Sequence, residues 1–178
     1  MSQQKLADSV AEHRKKSDLR AGVAVITLST SRSRSHSSEP DKSGDLIQSI
    51  LEKAGHRVPV RKLMPDSRGI LRASLNQLIR DKRIQAVITT GGTGLAPTDV
   101  TIETVQGMLD KELPGFNSLF MFLSYPQVKT ASMLSRALAG TVKGKIIFCL
   151  PGSPRACKLA MESLILPELG HILMLLRS

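Results

Sequence analysis

The chain has 178 residues and contains no tryptophan, one tyrosine and four phenylalanines. Its core must therefore be aliphatic, and the interleaved aromatics on which single-stranded nucleic acid stacks are missing. There are two cysteines, Cys149 and Cys157, without metal-motif spacing or partner histidines. They read as reduced, structural thiols of a cytosolic protein. No apolar run is long enough to span a membrane, and Met1-Ser2-Gln3-Gln4-Lys5 lacks the apolar stretch of a secretory signal. The expected location is the cytoplasm. The four histidines (His13, His36, His56, His171) are scattered through loops and ends, and no nucleophile–base pair is evident. Acidic residues are also few, 15 against 25 lysines and arginines, for a net charge of +10. That balance favours anionic partners, either phosphorylated metabolites or nucleic acid, although a basic solvated surface would give the same count.

What the chain does have is an alternation of apolar, β-branched runs with helical periodicity. Residues 1–19 are polar and read as a partly helical N-terminal arm; residues 20–178 read as a single α/β domain. Gly22 to Leu28 is a strand whose near-continuous apolar character predicts burial on both faces, as in a parallel sheet. The Ser-rich, basic stretch 29–41 reads as a long mobile loop. A helix is expected over 41–54, ended by Gly55; a strand over 58–64; a helix over 69–80; and a strand over 84–89. This β-α-β-α-β order implies parallel strands joined by right-handed crossovers. Farther on, a helix is expected over 100–109, a turn over 112–116, and a helix ending near Tyr125-Pro126. Residues 131–139 are ambiguous. A turn at 141–144 precedes a strand over 145–150, and a final helix over 155–176 is expected to bend near Pro167.

Chemistry is expected where four of these strands end, because open α/β sheets bind ligands beyond the carboxyl ends of their strands. The ends carry Ser29-Thr30, Asp66, the loop Thr90-Gly91-Gly92-Thr93-Gly94 running on to Asp99, and Pro151-Gly152-Ser153-Pro154. Glycines let main-chain N–H groups approach a ligand, and several such groups on one turn hold an anion. The same glycines could simply make a tight turn. Asp66 and Asp99 could each cap a helix; facing one another across a phosphate-binding turn, they read as magnesium or substrate ligands. Ser153 reads as a turn residue or a phosphate donor. Ser135-Arg136 reads as an anion donor or, for the arginine, a surface charge. The P-loop motif fails because Leu95 follows Gly94, and the dinucleotide fingerprint fails because Pro97 stands at its third glycine.

Over residues 20–176 these motifs resemble the MoaB/MogA family of molybdenum cofactor biosynthesis proteins. The markers are Thr89-Thr90-Gly91-Gly92-Thr93-Gly94 with Asp99 beyond it, and Leu150-Pro151-Gly152-Ser153-Pro154. Asp41-Lys42-Ser43-Gly44, Pro65-Asp66, Pro114-Gly115-Phe116, Leu123-Ser124-Tyr125 and Leu134-Ser135-Arg136-Ala137 support them. The resemblance implies a three-layer α/β/α fold with a mostly parallel central sheet, assembled as a trimer or hexamer. It implies magnesium-dependent adenylylation of molybdopterin by ATP with release of pyrophosphate, the product passing to the molybdate-insertion enzyme. It puts catalysis and metal binding on Asp66 and Asp99. Substrate binding falls on Thr90 to Gly94, Ser135, Arg136 and Pro151 to Pro154. A non-catalytic molybdopterin-binding or carrier protein of the same pathway is the alternative. Nucleic-acid binding through the basic surface is a third reading, without a recognised motif; neither nucleic acid nor a membrane is expected as a partner.

Overall fold

A computed structural model describes residues 20–33 and 39–177. The arm at 1–19 and the middle of the Ser/Arg loop lie outside the described residues.

The chain forms a six-stranded sheet. β1 (Gly22–Leu28), β2 (Arg57–Met64), β3 (Ala86–Thr90) and β6 (Lys145–Leu150) are mutually parallel, and β5 (Leu138–Val142) runs antiparallel to β6. A two-residue β4 (Lys111–Glu112) closes the far edge, giving the order β2-β1-β3-β6-β5-β4. Seven helices accompany them among the described residues: α1 (Thr30–Ser33), α2 (Lys42–Lys53), α3 (Arg68–Arg80), α4 (Thr101–Gln106), α5 (Pro114–Val128), α6 (Pro154–Ala160) and α7 (Leu166–Leu175).

Strand alternation divides the core into two layers. Val23, Val25, Ile88, Ile146 and Phe148 face Ile47, Leu51, Phe120, Ala160 and Leu169 of α2, α5, α6 and α7. Ala24, Ile26, Val87 and Ile147 face Leu71, Leu75 and Val105 of α3 and α4. Both faces of β1 are thus covered, as its nearly continuous apolar run requires. The result is the three-layer α/β/α arrangement with a mostly parallel sheet.

Several elements differ from the sequence expectation. Residues 30–33 of the expected loop form the short helix α1. The helix after the glycine loop stops at Gln106, whereas α5 continues through Pro126 to Val128. The expected turn at 112–116 begins with β4, and the ambiguous stretch gives a 3₁₀ turn (Lys129–Leu134) and then β5. Gly140 weakens β5 as a sequence signal, yet a β-carbon there would stand 2.6 Å from the Lys111 carbonyl oxygen, so β4 can pair only with a glycine at that point. Thr141 and Val142 belong to β5; the turn itself is Lys143-Gly144, with φ of 47° and 74°. The last helix is interrupted by a π turn at Met161–Ile165, and Pro167 lies in the first turn of α7, so the break comes before the proline.

Candidate functional site

Because β1, β2, β3 and β6 are parallel and close to in register at their ends, the turns that follow them share one edge. Thr27 pairs with Thr90, Leu28 with Met64, and Thr90 with Leu150. The four sequence segments singled out above therefore meet.

The glycine loop is held by its carbonyls. The Gly91 oxygen accepts from Thr101 Oγ1 at 2.9 Å and the Gly92 oxygen from the Thr101 N–H at 2.9 Å. The Thr93 oxygen accepts from Arg136 Nε at 2.8 Å and the Gly94 oxygen from Arg136 Nη2 at 2.7 Å. In a trans peptide the N–H points opposite to the preceding carbonyl. The amides of Gly92, Thr93, Gly94 and Leu95 are thus turned away from the groups that hold their peptide planes. Among the described residues, none of the four has a protein acceptor. Gly91 differs: its N–H donates to the Leu150 carbonyl at 3.0 Å, and a β-carbon there would strike the Leu28 oxygen. Gly91 and Gly92 have φ of 94° and 61°, which side chains disfavour.

Asp99 ends this loop, and Asp66, from the turn after β2, stands against it. A β-carbon at Gly92 would lie 2.7 Å from Asp66 Oδ1, and one at Gly94 would lie 2.7 Å from Asp99 Oδ2. The glycines are what allow both carboxylates so close to the backbone. Neither aspartate is a helix cap: Ser67 and Val100 occupy those positions. Asp66 Oδ2 accepts from the Thr30 N–H at 2.8 Å and the Thr30 hydroxyl at 2.7 Å. Asp99 Oδ2 accepts from the Ala96 N–H at 3.0 Å. Each carboxylate keeps its Oδ1 without a protein donor among the described residues.

Thr90 is buried, and its hydroxyl donates to the Pro151 carbonyl at 2.9 Å beside Cys157 Sγ at 3.2 Å. Gly152 packs on Gly91, 3.4 Å from where its β-carbon would be, and its carbonyl accepts from the buried Ser43 hydroxyl at 2.7 Å. Ser153 caps α6, accepting from the Ala156 N–H at 3.2 Å, with Pro154 opening the helix. Ser135, Pro151 and Ser153 line a cavity of about 100 Å³ beside the loop, together with Ser124, Gln127 and Arg155. Arg136 is no bare surface charge: Nε and Nη2 donate to the loop carbonyls, and Nη1 donates to Glu103 Oε1 at 2.6 Å.

Residues the sequence reasoning did not assign to the site are Thr101, Ser43 and Asp41, whereas Thr30 is singled out there only as part of the first strand's end. The Asp41-Lys42-Ser43-Gly44 motif was the available signal for two of them. Asp41 caps α2 through the Gly44 N–H at 3.0 Å and also accepts from the Thr27 hydroxyl at 2.6 Å and Arg61 Nη2 at 3.0 Å. Burial acts to raise its carboxyl pKa; those donors outweigh it and hold the group below the ordinary range. The Arg136 hydrogen bond lowers Glu103 in the same way, against a smaller effect of burial. Both thiols are buried and pushed up by desolvation, Cys149 to about 12, which makes them inert at neutral pH. Among the described residues no cluster of three or more His, Cys, Asp or Glu side chains could hold a metal, and no helix is long and apolar enough to cross a membrane.

Comparison with known proteins places this edge in context. Residues 24–171 match the family described as "Probable molybdopterin binding domain". The chain is 41% identical over 165 residues to Molybdenum cofactor biosynthesis protein B of Bacillus cereus, spanning 92% of this chain and 95% of that protein. It is 40% identical over 153 residues to the "Probable molybdopterin adenylyltransferase" of Methanocaldococcus jannaschii, spanning 84% and 90%. A crystal structure of Molybdenum cofactor biosynthesis protein B superposes with a TM-score of 0.83 at 39% identity, covering 89% of this chain and 97% of the other. The chain belongs to the MoaB/MogA family of molybdenum cofactor biosynthesis proteins.

Proposed function

We propose that this protein adenylylates molybdopterin, using ATP and magnesium, within molybdenum cofactor biosynthesis. The observation that carries the reading is the run of four amides, Gly92 to Leu95, without protein acceptors and flanked by two carboxylates. Amides so turned, with their carbonyls fixed behind them, suit a phosphate group. The adenylyltransferase name of the Methanocaldococcus jannaschii relative supports the same reaction.

The reaction asks for positioning and charge neutralisation more than for covalent work by the protein. A terminal phosphate oxygen of molybdopterin attacks the α-phosphorus of ATP; the bond to the β-phosphate oxygen breaks and pyrophosphate leaves. The attacking oxygen is already anionic, so no general base is required, in keeping with the absence of a histidine from the residues assembled here. The loop amides would hold one phosphate of the pair of substrates. Thr30 orients Asp66 by two hydrogen bonds, and the Ala96 amide orients Asp99.

The donor set fits magnesium, which takes one or two carboxylates and fills its shell with substrate phosphates. Asp66 Oδ1 and Asp99 Oδ1 would hold it. Magnesium bound there would neutralise charge on the phosphate oxygens.

Self-association belongs to the same proposal. Leu119, Phe122, Tyr125 and Val128, at a spacing of three, form an exposed apolar strip that winds along α5, and Met133 and Leu134 are exposed on the 3₁₀ turn that follows. An apolar strip of this kind suits a trimer or hexamer interface.

The deciding experiment incubates purified protein with molybdopterin, ATP and magnesium and measures pyrophosphate. Release that depends on both substrates is expected. Tight pterin binding with no pyrophosphate would make the protein a carrier instead.

A further inference from the structure

We infer that Arg136 is a positioning residue that sets the direction of the loop amides without itself touching the anion. The inference rests on the anion-binding reading above.

The guanidinium reaches the loop from a segment more than forty residues away in sequence. Nε holds the Thr93 carbonyl and Nη2 the Gly94 carbonyl, and Nη1 pairs with Glu103 of α4. Each bond fixes one peptide plane. The first directs the Gly94 N–H and the second the Leu95 N–H. Glycine peptides rotate readily, so a loop with glycine at 91, 92 and 94 needs external restraint to present a constant array of donors. Thr101 supplies that restraint for the first two planes, and Arg136 supplies it for the next two.

Charge points the same way. Glu103 is adjacent to the guanidinium, so the pair is close to neutral and its long-range attraction for phosphate is small. What the arginine contributes is its planar fork, which meets two carbonyls and a carboxylate at fixed angles. A lysine ammonium could satisfy part of that set as a point donor, without its planar geometry.

The test uses the full chain, inorganic pyrophosphate with magnesium as the probe, and the variants Arg136→Met and Arg136→Lys. Calorimetry gives affinity, and amide proton–nitrogen spectra follow Gly92, Thr93, Gly94 and Leu95. In the wild type these amides are expected to shift on titration. In Arg136→Met, affinity is expected to fall about tenfold or more, as for loss of preorganised donors elsewhere, with the Gly94 and Leu95 shifts most reduced. Arg136→Lys is expected to fall between. Wild-type affinity and wild-type shifts in a folded Arg136→Met protein would overturn the inference. If Arg136→Met does not fold, wild-type behaviour of Arg136→Lys overturns it instead. A wild-type protein that binds no pyrophosphate overturns the anion-binding reading and the inference with it. A wild type that binds while Arg136→Met binds equally overturns only the inference.

Discussion

Thr101 bonds to Gly91 through its hydroxyl, 2.9 Å from the carbonyl oxygen, and the same residue opens α4. One buried side chain thus ties the glycine loop to the helix that follows it. Thr101→Val keeps the shape but leaves the Gly91 carbonyl without this donor. Stability is expected to fall by about 1–3 kcal/mol, the usual cost of a buried unsatisfied polar group. Urea unfolding, with an unchanged dependence on denaturant concentration, would measure it.

Asp66→Asn and Asp99→Asn should leave the fold intact, because both aspartates sit on the rim and outside the two core layers. Adenylyl transfer is expected to fall by about 100-fold or more in each, the scale on which a charge-stabilising group is lost. Pyrophosphate release reports it. Unchanged turnover in both variants would remove the enzymatic reading.

Acid should expose the role of Asp41. Its carboxyl is held below the ordinary value of 3.8 in the folded protein, so it binds a proton more weakly there than in the unfolded chain. Its contribution is complete above that value and is lost as pH falls through the lower, folded one. Asp41→Asn is expected to be less stable than the wild type at neutral pH, and the gap should narrow below about pH 4. Urea midpoints of the two proteins across that range would show convergence, or its absence.

Phe122 is 74% exposed at the centre of the apolar strip on α5. Phe122→Glu is expected to leave the monomer folded and to lower the assembly state in sedimentation. A wild type that sediments as a monomer would remove the proposed self-association.

Much of the fold could be read from the chain because its parallel strands are buried on both faces. Gly22 to Leu28 and Lys145 to Leu150 are mostly apolar runs with clear boundaries, and the structure begins and ends them at the same residues. β4 and β5 escaped because two residues and a glycine-interrupted five carry little periodicity. At the site, the glycines and Asp66 were visible as motifs. The direction of the loop amides was not, since it depends on Thr101 and Arg136, whose partners are set by tertiary packing. Ser153 showed why a motif residue needs its geometry: its hydroxyl caps α6.

The reversal of β5 has a consequence for how the rim is built. A parallel strand delivers its end to that edge, but β5, pairing Leu138 with Cys149, delivers its beginning. The residues just ahead of it, which follow α5 and the 3₁₀ turn, therefore arrive beside the glycine loop. A single antiparallel strand brings a cationic brace from a distant stretch of chain to the place where the parallel strands run out.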